Sequence, residues 1–391
     1  MTRSSNYITR AVAVLSFLVA AHMPQAAQSW QTVLVDECAD LATLNQALQA
    51  GGGVIARMSS EVACADEDAT EWTTVEVPES SLLYVKLADT TGSVLTFVNV
   101  RFVVASRDSG GAALTFIPDV EFRTTIDDQD VNGGALQVLS GAIVHFLGTS
   151  GCYKVGIVSS IAERGHTDHD DFGGCWFNEG TIEAAGLATF YDCDNSGGGE
   201  SPPGDGGAVF NGPSGTIDFL GGINATENSC SDDFDGKGGA IYNAGYIVVN
   251  ADSYFASNFA NEGGGIFNEE GGTFLFADGV TVEFYDNDHR DDVCYGGHVD
   301  NRGSLVFTGY VTFIKGEGLV TSGHMEFQAG ALFQEQTHGA LNALAGATFG
   351  EDGAFGSLSD LVFIDNTDAR CRGCDDITYN AQTYGEITCG P

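Results

Sequence analysis

Histidines, aspartates and an arginine crowd one segment near the middle of the chain, between residues 164 and 171. The side chains that could do acid–base chemistry there are His166, Asp168, His169 and Asp170, with Arg164 close by. A polysaccharide lyase or epimerase needs a base that removes a proton and a cation that neutralises the substrate carboxylate. These four residues are the catalytic candidates of the sequence, because they occur once in a chain that otherwise repeats.

Metal binding by aspartates is a second chemistry that the sequence offers. The candidate ligands lie in the longer segments between repeat units, and they are Asp232, Asp233, Asp235, Asp288, Asp291 and Asp292. Related segments add Asp168, Asp170, Asp171 and Asp205. Ca²⁺ takes several carboxylate and carbonyl oxygens, so it is the ion that these residues favour, although no segment has EF-hand spacing. The alternative is a solvated acidic edge that keeps the protein soluble.

The charge of the chain excludes two classes of partner. It has 54 acidic and 15 basic side chains, which give a formal net charge of −39. A nucleic-acid-binding protein needs a basic face to displace counterions from phosphates, and a peripheral protein held by anionic lipids needs one as well. The charge also disfavours polyanionic uronate substrates unless a metal ion bridges them to the protein. A polysaccharide or a cell-surface protein remains as the expected partner.

The N-terminal segment predicts secretion. Residues 1–27 combine Arg3 and Arg10 with the apolar run 11–21, which is too short to cross a bilayer as a helix and is typical of a signal peptide. We expect an extracellular or cell-surface protein with no transmembrane segment in the mature chain. The sequon that begins at Asn224 is a potential N-glycosylation site.

Ten cysteines fit the oxidising compartment that a signal peptide implies. We expect one disulfide between Cys38 and Cys64, and another from Cys389 to either Cys371 or Cys374. A zinc site at Cys371 and Cys374 is the competing interpretation, but the chain has no second Cys-x-x-Cys motif to complete it.

An internal repeat determines the elements that must position these side chains. Five segments match the pattern Gly-Gly-x-hydrophobic-x-Asn, with 25 to 33 residues between successive asparagines. An alternating run such as Ile217-Asp218-Phe219 follows each one, which predicts a strand with its apolar residues inward. Units of this length predict the coils of a parallel β-helix, whereas the blades of a β-propeller are longer. We expect the repeated asparagines to stack as a hydrogen-bonded ladder of Asn178, Asn211, Asn243, Asn268 and Asn301.

The sequence thus predicts an all-β fold, a single-stranded right-handed parallel β-helix with capped ends. Residues 28–71 are expected to form the N-terminal cap and first coil, residues 72–370 the solenoid with its clearest repeats in 133–310, and residues 371–391 a cysteine-rich C-terminal cap. The N-terminal cap contains a helix from Asp40 to Leu48, with Asp40 as its N-cap and glycines 51–53 at its end. Further strands are predicted at 54–56, 83–85, 95–97, 102–104 and 143–146.

A column of aromatic residues accompanies the ladder, one position before each asparagine. Since the ladder is expected to face inward, the rings are expected to face outward, where they could stack on sugars or on a partner protein. Asp300 at the last position favours exposure, because a buried and unpaired carboxylate is costly. The alternative is packing under the neighbouring loops. The predicted binding residues are Phe177, Phe210, Tyr242 and Phe267.

Two short motifs resemble the repeats of polymorphic outer membrane proteins. Gly238-Gly239-Ala240-Ile241 is similar to their G-G-A-I motif and the segment from Phe255 to Asn258 to their F-x-x-N motif, and the likeness covers roughly residues 130–310. The resemblance implies a right-handed β-helical passenger domain. The chain ends Cys389-Gly390-Pro391 without the alternating segments of an outer-membrane β-barrel, so we expect a passenger domain without that barrel.

Two functions are compatible with these features. The first is a secreted, non-catalytic component of a cell surface, wall or matrix, with a structural or adhesive role. The alternative is a polysaccharide-modifying enzyme, a lyase, epimerase or glycoside hydrolase, by analogy with the pectin-lyase-like enzymes that parallel β-helices host. No cofactor is certain from the sequence, and Ca²⁺ is the one that its aspartates favour.

Overall fold

The computed structural model describes residues 30–64, 72–88, 94–106, 112–124, 134–153, 173–195, 204–230, 236–289, 296–337, 340–343, 347–349 and 361–364. In these ranges the chain forms one helix and a succession of short strands, which join three long parallel sheets. A typical coil gives one strand to the second sheet, then one to the first and one to the third. This is the parallel β-helix that the repeat predicts.

The bounds of the strands follow the spatial order of each sheet. The first sheet contains β1 (Trp30–Val35), β2 (Gly52–Met58), β5 (Ser81–Leu87), β8 (Ala112–Phe116), β11 (Ile143–Phe146), β14 (Thr181–Ala184), β17 (Thr216–Phe219), β21 (Tyr246–Val249), β25 (Thr273–Phe276), β28 (Ser304–Phe307), β31 (His324–Phe327) and β34 (Thr348–Phe349). The second sheet contains β4 (Thr73–Val77), β7 (Val100–Val104), β10 (Leu136–Val138), β13 (Trp176–Asn178), β16 (Val209–Asn211), β20 (Ile241–Asn243), β24 (Ile266–Asn268), β27 (Val299–Asn301), β30 (Leu319–Thr321) and β33 (Leu341–Ala343). The third sheet contains β3 (Glu61–Ala63), β6 (Leu95–Val98), β9 (Val120–Arg123), β12 (Ser150–Tyr153), β15 (Ala188–Tyr191), β18 (Ile223–Thr226), β22 (Ser253–Ala256), β26 (Val282–His289), β29 (Val311–Gly316), β32 (Ala331–Gln336) and β35 (Leu361–Ile364), with β19 (Ser229–Cys230) and β23 (Phe259–Ala260) pairing beside it.

Alternating side chains fill the interior of the coil with apolar groups. Strand β17 buries its second and fourth residues and turns its first and third outward, as the sequence predicts. Because the strands are parallel and in register, equivalent side chains lie about one strand spacing apart along the axis. The interior rings of Phe255, Phe284 and Phe313 accordingly stack with centroids 4.9 and 5.0 Å apart. The core is therefore a set of columns, each made by one position of the repeat.

The helix α1 (Asp40–Gln49) packs against β1 and β4 at the N-terminal end of the coil. Its buried face contains Leu41, Leu44 and Leu48, as the sequence predicts. The chain then turns through Gly51 and Gly52, which have φ of 79° and 98°. The helix thus covers apolar side chains that the first coil would otherwise expose to water.

The prediction that Asp40 is the N-cap of this helix is wrong. Ala39 occupies the N-cap position, and Asp40 is the first helical residue. The Asp40 carboxylate accepts hydrogen bonds from the backbone N–H groups of Asp36 and Glu37, at 2.9 and 3.1 Å. The side chain therefore fixes the turn that leads into the helix and does not cap the first helical N–H groups.

The glycine pairs turn the chain at the start of the second-sheet strands. Gly206 and Gly238, the first glycines of two pairs, have φ of 76° and 72°, a region that glycine reaches without a Cβ penalty. The second glycine is required by close stacking, since a Cβ on Gly207 would lie 2.1 Å from the carbonyl oxygen of Gly239 in the next coil. Both glycines are thus consequences of placing one coil directly on another.

The predicted asparagine ladder is confirmed. Each side-chain amide donates a hydrogen bond to the amide oxygen of the next asparagine, at 2.7 to 2.8 Å, and the last donates to Thr321 Oγ1 at 3.0 Å. The side-chain amides also donate hydrogen bonds to backbone carbonyl groups of the next coil, as the Asn243 amide does to the carbonyl oxygen of Thr273. The five asparagines are Asn178, Asn211, Asn243, Asn268 and Asn301, and all are fully buried.

A second ladder runs along the corner after the third sheet. Asn228 donates to Asn258 and Asn258 to Asn287, each at 2.8 Å, and all three are fully buried. The F-x-x-N motif identifies two of these residues in the sequence, but Asn228 escapes it because Ala225 replaces the phenylalanine. The residue before each of these asparagines has φ between 53° and 57°, so the amides satisfy the backbone groups that a tight corner leaves free.

Two disulfides staple the described part of the chain. Cys38 pairs with Cys64, as predicted. Cys152 pairs with Cys175, which the sequence analysis did not predict, and this bond joins the end of the third-sheet strand β12 to the turn before β13. The bridge from Cys389 to Cys371 or Cys374 lies outside the described residues and stays a prediction.

Replacing Asn243 by alanine tests the contribution of the ladder. The variant loses the hydrogen bond to Asn268 and leaves the amide N–H of Asn211 buried without its side-chain acceptor, and a buried polar group left unsatisfied costs about 1–3 kcal/mol. We expect the free energy of unfolding, measured by urea denaturation, to fall by about 2–4 kcal/mol.

The matched control is Asn250→Ala, which removes an exposed asparagine bonded to Asp218. We expect this substitution to change the free energy of unfolding by less than about 0.5 kcal/mol. Equal losses in Asn243→Ala and Asn250→Ala would contradict a special role of the buried ladder.

Candidate functional site

The aromatic column of the second sheet exists, but its rings are covered. Neighbouring rings lie parallel, with centroids 4.9 to 5.4 Å apart, and they form an apolar cluster separate from the interior core. No ring in the cluster is more than 8% exposed, so the ring faces that a sugar would need are occupied by neighbouring rings. The expectation that Phe177, Phe210, Tyr242 and Phe267 are open to a ligand is therefore wrong. These rings pack against one another and extend the stacking order outside the coil.

A charged group closes the C-terminal end of this column. The Arg302 guanidinium lies 4.7 Å and the Lys237 ammonium 5.2 Å from the centroid of the Phe267 ring. Arg302 also pairs with Glu262 at 2.5 Å and with Asp300 at 3.3 Å. Asp300 is only 2% exposed, so the inference that it marks an open position is wrong. Arg302 supplies the opposite charge that makes this buried carboxylate tolerable, although burial still raises the pKa of Asp300.

Three charged residues line up beside the column, where the longer segments rejoin the coil. Asp205 and Lys237 end two of the longer segments, and they form successive parallel bridges with each other and with Glu262. Both segments therefore meet the coil at one edge, as the repeat predicts. Burial raises the pKa of Asp205 to about 7, and the negative charge of Glu269 adds to this shift while Lys237 opposes it. The Oδ1 atom of Asp205 is buried and has no hydrogen-bond partner. This carboxyl group therefore titrates far from the usual range of an aspartate.

The outer face of the third sheet carries exposed rings that the repeat analysis missed. We call this surface the tyrosine face and define it by Tyr153, Tyr191, Tyr254 and Tyr285. Tyr254 is 36% exposed, and the other three are half-buried. A signal was present in the sequence, since Tyr191 and Tyr285 directly follow buried phenylalanines and must therefore point outward from a strand.

Tyr254 lies between two hydrogen-bonding side chains on the tyrosine face. Its strand neighbours in register are Asn224 on one side and Glu283 on the other. Burial and the nearby Glu283 raise the pKa of Tyr254, so its hydroxyl stays protonated and able to donate at neutral pH. The exposed ring thus has an amide and a carboxylate beside it, which is the combination of stacking and hydrogen bonding that polar ring-shaped ligands require.

The potential glycosylation site falls on the same surface. Asn224 is half-buried in β18, and its Oδ1 atom is covered and has no hydrogen-bond partner. A glycan attached there would occupy the tyrosine face. Glycosylation of Asn224 stays a prediction.

Most of the predicted metal ligands lie outside the described residues, namely Asp232, Asp233, Asp235, Asp291 and Asp292. Asp288 is described and exposed at the end of β26. It lies beside His289 and Glu317, and the possible ligand atoms of these three side chains are all within 4.8 Å of one another. The sequence places His289 next to Asp288, but it gives no signal that Glu317 lies beside them, because Glu317 belongs to the next coil.

The catalytic candidates His166, Asp168, His169 and Asp170 also lie outside the described residues, as does Arg164. Their catalytic role stays a prediction. On the described outer surface of the first sheet, one other histidine approaches an acid, since His145 Nδ1 lies 2.8 Å from Glu183 Oε2.

No family model, no curated protein and no solved structure matches the chain. The fold and the chemistry of its side chains are thus the basis for assigning a function. Among the described residues, no helix has the length and apolar character needed to cross a membrane.

Replacing Asp205 by asparagine tests the buried carboxyl group. An unfolded aspartate titrates near its usual pKa of about 4, so between about pH 4 and 7 the folded protein keeps a proton that the unfolded chain has lost. Asp205 therefore lowers stability as the pH rises through this window. We expect Asp205→Asn to flatten that decline and to raise the melting temperature above pH 7, measured by thermal denaturation at a series of pH values.

Asp278→Asn is the control, because it removes the same charge from an exposed turn. The general repulsion within a chain of net charge −39 changes equally in both variants. Melting curves of Asp205→Asn that run parallel to those of Asp278→Asn across the whole pH range would refute a shifted titration.

Proposed function

We propose that this protein is a secreted, non-catalytic component of a cell surface, wall or matrix, which adheres to neutral polysaccharide through its tyrosine face. The observation that carries the proposal is the environment of Tyr254, an exposed ring with Asn224 and Glu283 as its neighbours on adjacent strands. Sugar rings present apolar C–H faces to aromatic rings and hydroxyl groups to amides and carboxylates, so this arrangement suits them.

The charge of the protein favours a neutral partner. With a formal net charge of −39, the chain repels uronates and sulfated glycans as well as anionic membranes. Hydrogen bonding by Glu283 also suits hydroxyl donors better than the carboxylates of an acidic sugar. Neutral polysaccharides are thus the class of ligand for which the tyrosine face is best matched.

The architecture leaves the outer surface of the coil available for contacts with other molecules, which supports an adhesive role. Buried amide ladders and stacked rings occupy the repeated positions, so the repeats serve the rod itself and the outward positions are left for contacts. Two disulfides suit an oxidising compartment, in agreement with the expected signal peptide. The resemblance of the G-G-A-I and F-x-x-N motifs to the repeats of polymorphic outer membrane proteins supports a cell-surface location as well.

The main alternative remains an enzyme that modifies polysaccharide, with His166, Asp168, His169 and Asp170 as its candidates. An enzyme requires reactive groups that occur once and converge on one point. Adhesion requires only an exposed surface, and Tyr254 with its neighbours already provides one. The two functions differ in whether the polysaccharide is changed by contact with the protein.

Binding of neutral polysaccharides by Tyr254→Ala tests the proposal. We expect the wild-type protein, made without N-glycosylation so that Asn224 stays bare, to be retarded in affinity gels that contain neutral glucans, mannans or xylans. Loss of a stacking ring costs about 1–3 kcal/mol, so Tyr254→Ala should weaken binding about 5- to 150-fold.

The matched control is Tyr246→Ala, which removes a tyrosine that is 43% exposed on the outer face of the first sheet. We expect Tyr246→Ala to bind as the wild type does. Retardation that is the same in wild type, Tyr254→Ala and Tyr246→Ala would assign binding to another surface, and no retardation on any neutral gel would refute the proposed ligand class.

Incubation with the same polysaccharides and with uronate polymers separates adhesion from catalysis. We expect neither new reducing ends nor unsaturated products, because an adhesive surface leaves the bound polysaccharide chemically unchanged. Turnover that disappears in His169→Ala would instead establish the enzyme and overturn the non-catalytic assignment.

A further inference from the structure

Three potential metal ligands meet where two successive coils leave the third sheet. Asp288 and His289 are the last residues of β26, and Glu317 directly follows β29 in the next coil. The backbone N–H of Asp288 bonds to Asn258 at 3.0 Å, and the N–H of Glu317 bonds to Asn287 at 3.3 Å. These bonds to the backbone carbonyl groups of neighbouring coils hold the main chain of Asp288 and Glu317 in place.

Two of the three side chains are enclosed. The side chain of His289 is 1% exposed and that of Glu317 is 10% exposed, and the imidazole Nδ1 is in direct contact with the Glu317 carboxylate. Asp288 is exposed at the mouth of the cluster, and its Oδ1 accepts a hydrogen bond from the backbone N–H of His289 at 2.8 Å. One imidazole and two carboxylates therefore lie together, with His289 and Glu317 buried and Asp288 at the solvent-exposed side.

The stacking of the coils does not require these residues. In the preceding coils, the position of His289 is occupied by Ala260 and Cys230, and that of Asp288 by Phe259 and Ser229. Side chains that serve the rod recur at equivalent positions of successive coils, as the asparagines of the two ladders do. The cluster breaks this recurrence once, which separates it from the structural repeat.

We propose that Asp288, His289 and Glu317 bind a divalent ion of the Zn²⁺ type, with water in the remaining position. An imidazole nitrogen combined with carboxylate oxygens suits Zn²⁺ and its transition-metal neighbours, whereas Ca²⁺ takes oxygen ligands alone. Zn–N and Zn–O bonds of about 2.0–2.2 Å place neighbouring ligand atoms roughly 3–3.5 Å apart. The separations within 4.8 Å reach this value when the exposed Asp288 rotates and the ion enters between His289 and Glu317.

The outer face of the first sheet supplies an internal comparison. His145 and Glu183 form the same kind of pair, at 2.8 Å, but their side chains are 19% and 37% exposed. Among the described residues, no third ligand joins them in a metal-binding group. The molecule thus contains a second histidine–glutamate pair that has no third ligand. Comparing zinc binding at the two places shows whether the third ligand is required.

Zinc binding to the chelator-treated full-length protein tests the proposal. We expect calorimetric titration with ZnCl₂ to reveal a tight site that excess CaCl₂ does not displace. Loss of an outer-shell partner of a metal ligand already weakens binding about 10- to 100-fold, so loss of a ligand in Asp288→Asn should weaken this site at least about tenfold. Asp288 is exposed, so this variant is expected to fold.

Glu317→Gln and Glu183→Gln complete the design as a buried ligand variant and its matched control. We expect Glu317→Gln to abolish the tight site and Glu183→Gln to leave it unchanged. Co²⁺ loaded at the same site should give visible absorption bands whose intensity falls in Asp288→Asn, a readout that does not depend on stability. In thermal denaturation, ZnCl₂ should raise the melting temperature of wild type and of Glu183→Gln by the same amount, and that of Asp288→Asn and Glu317→Gln by less.

Three results would overturn the proposal. The first is the absence of tight zinc binding in the wild type. The second is zinc binding of equal affinity and stoichiometry in wild type, Asp288→Asn and Glu317→Gln, which would place the ion elsewhere in this acidic chain. The third is displacement of zinc by excess CaCl₂, which would indicate an all-oxygen site. None of these results bears on Tyr254 and polysaccharide, so the two proposals fail independently.

Discussion

Buried amide-to-amide hydrogen bonding between successive coils is the constraint on which this structure depends. An asparagine side chain inside a protein must satisfy both its N–H groups and its oxygen. In the ladder the next asparagine accepts one N–H, the preceding asparagine donates to the oxygen, and a backbone carbonyl group accepts the other N–H. That arrangement works only if every coil places the residue at the same point, as Asn211, Asn243 and Asn268 do. The glycine turns and stacked rings are further consequences of that exact superposition.

The same constraint separates residues that build the rod from residues that are free to act on other molecules. A side chain repeated in each coil, such as Phe284 or Asn258, is used by its neighbours above and below. A side chain that occurs once does not belong to such a column, and its contacts are made with its local neighbours or with a ligand. Tyr254 on the outer sheet face and His289 at the coil edge are residues of this second kind.

Sequence reasoning predicted the features that depend on repetition and missed those that depend on neighbours in space. The ladder was predictable because Asn243 and its equivalents recur with glycine pairs, whereas Asn228 was missed because Ala225 breaks the motif locally. The buried state of Asp300 was not predictable from its own coil position, since it depends on pairing with Arg302. The contact between Glu317 and His289 could not be predicted, because it depends on the register between two successive coils. The coil of Glu317 also lacks the longer segment that marks other repeats in the sequence, since only two residues separate β29 from β30.

The ladders also have a direction. In both of them the amide nitrogen of the earlier asparagine points to the oxygen of the later one, from Asn178 to Asn301 and from Asn228 to Asn287. Aligned amide dipoles add along the axis and polarise one another, so the rod has an electrical head and tail as well as a chemical one. Two such rods lying side by side therefore have a lower electrostatic energy when they run antiparallel than when they run parallel.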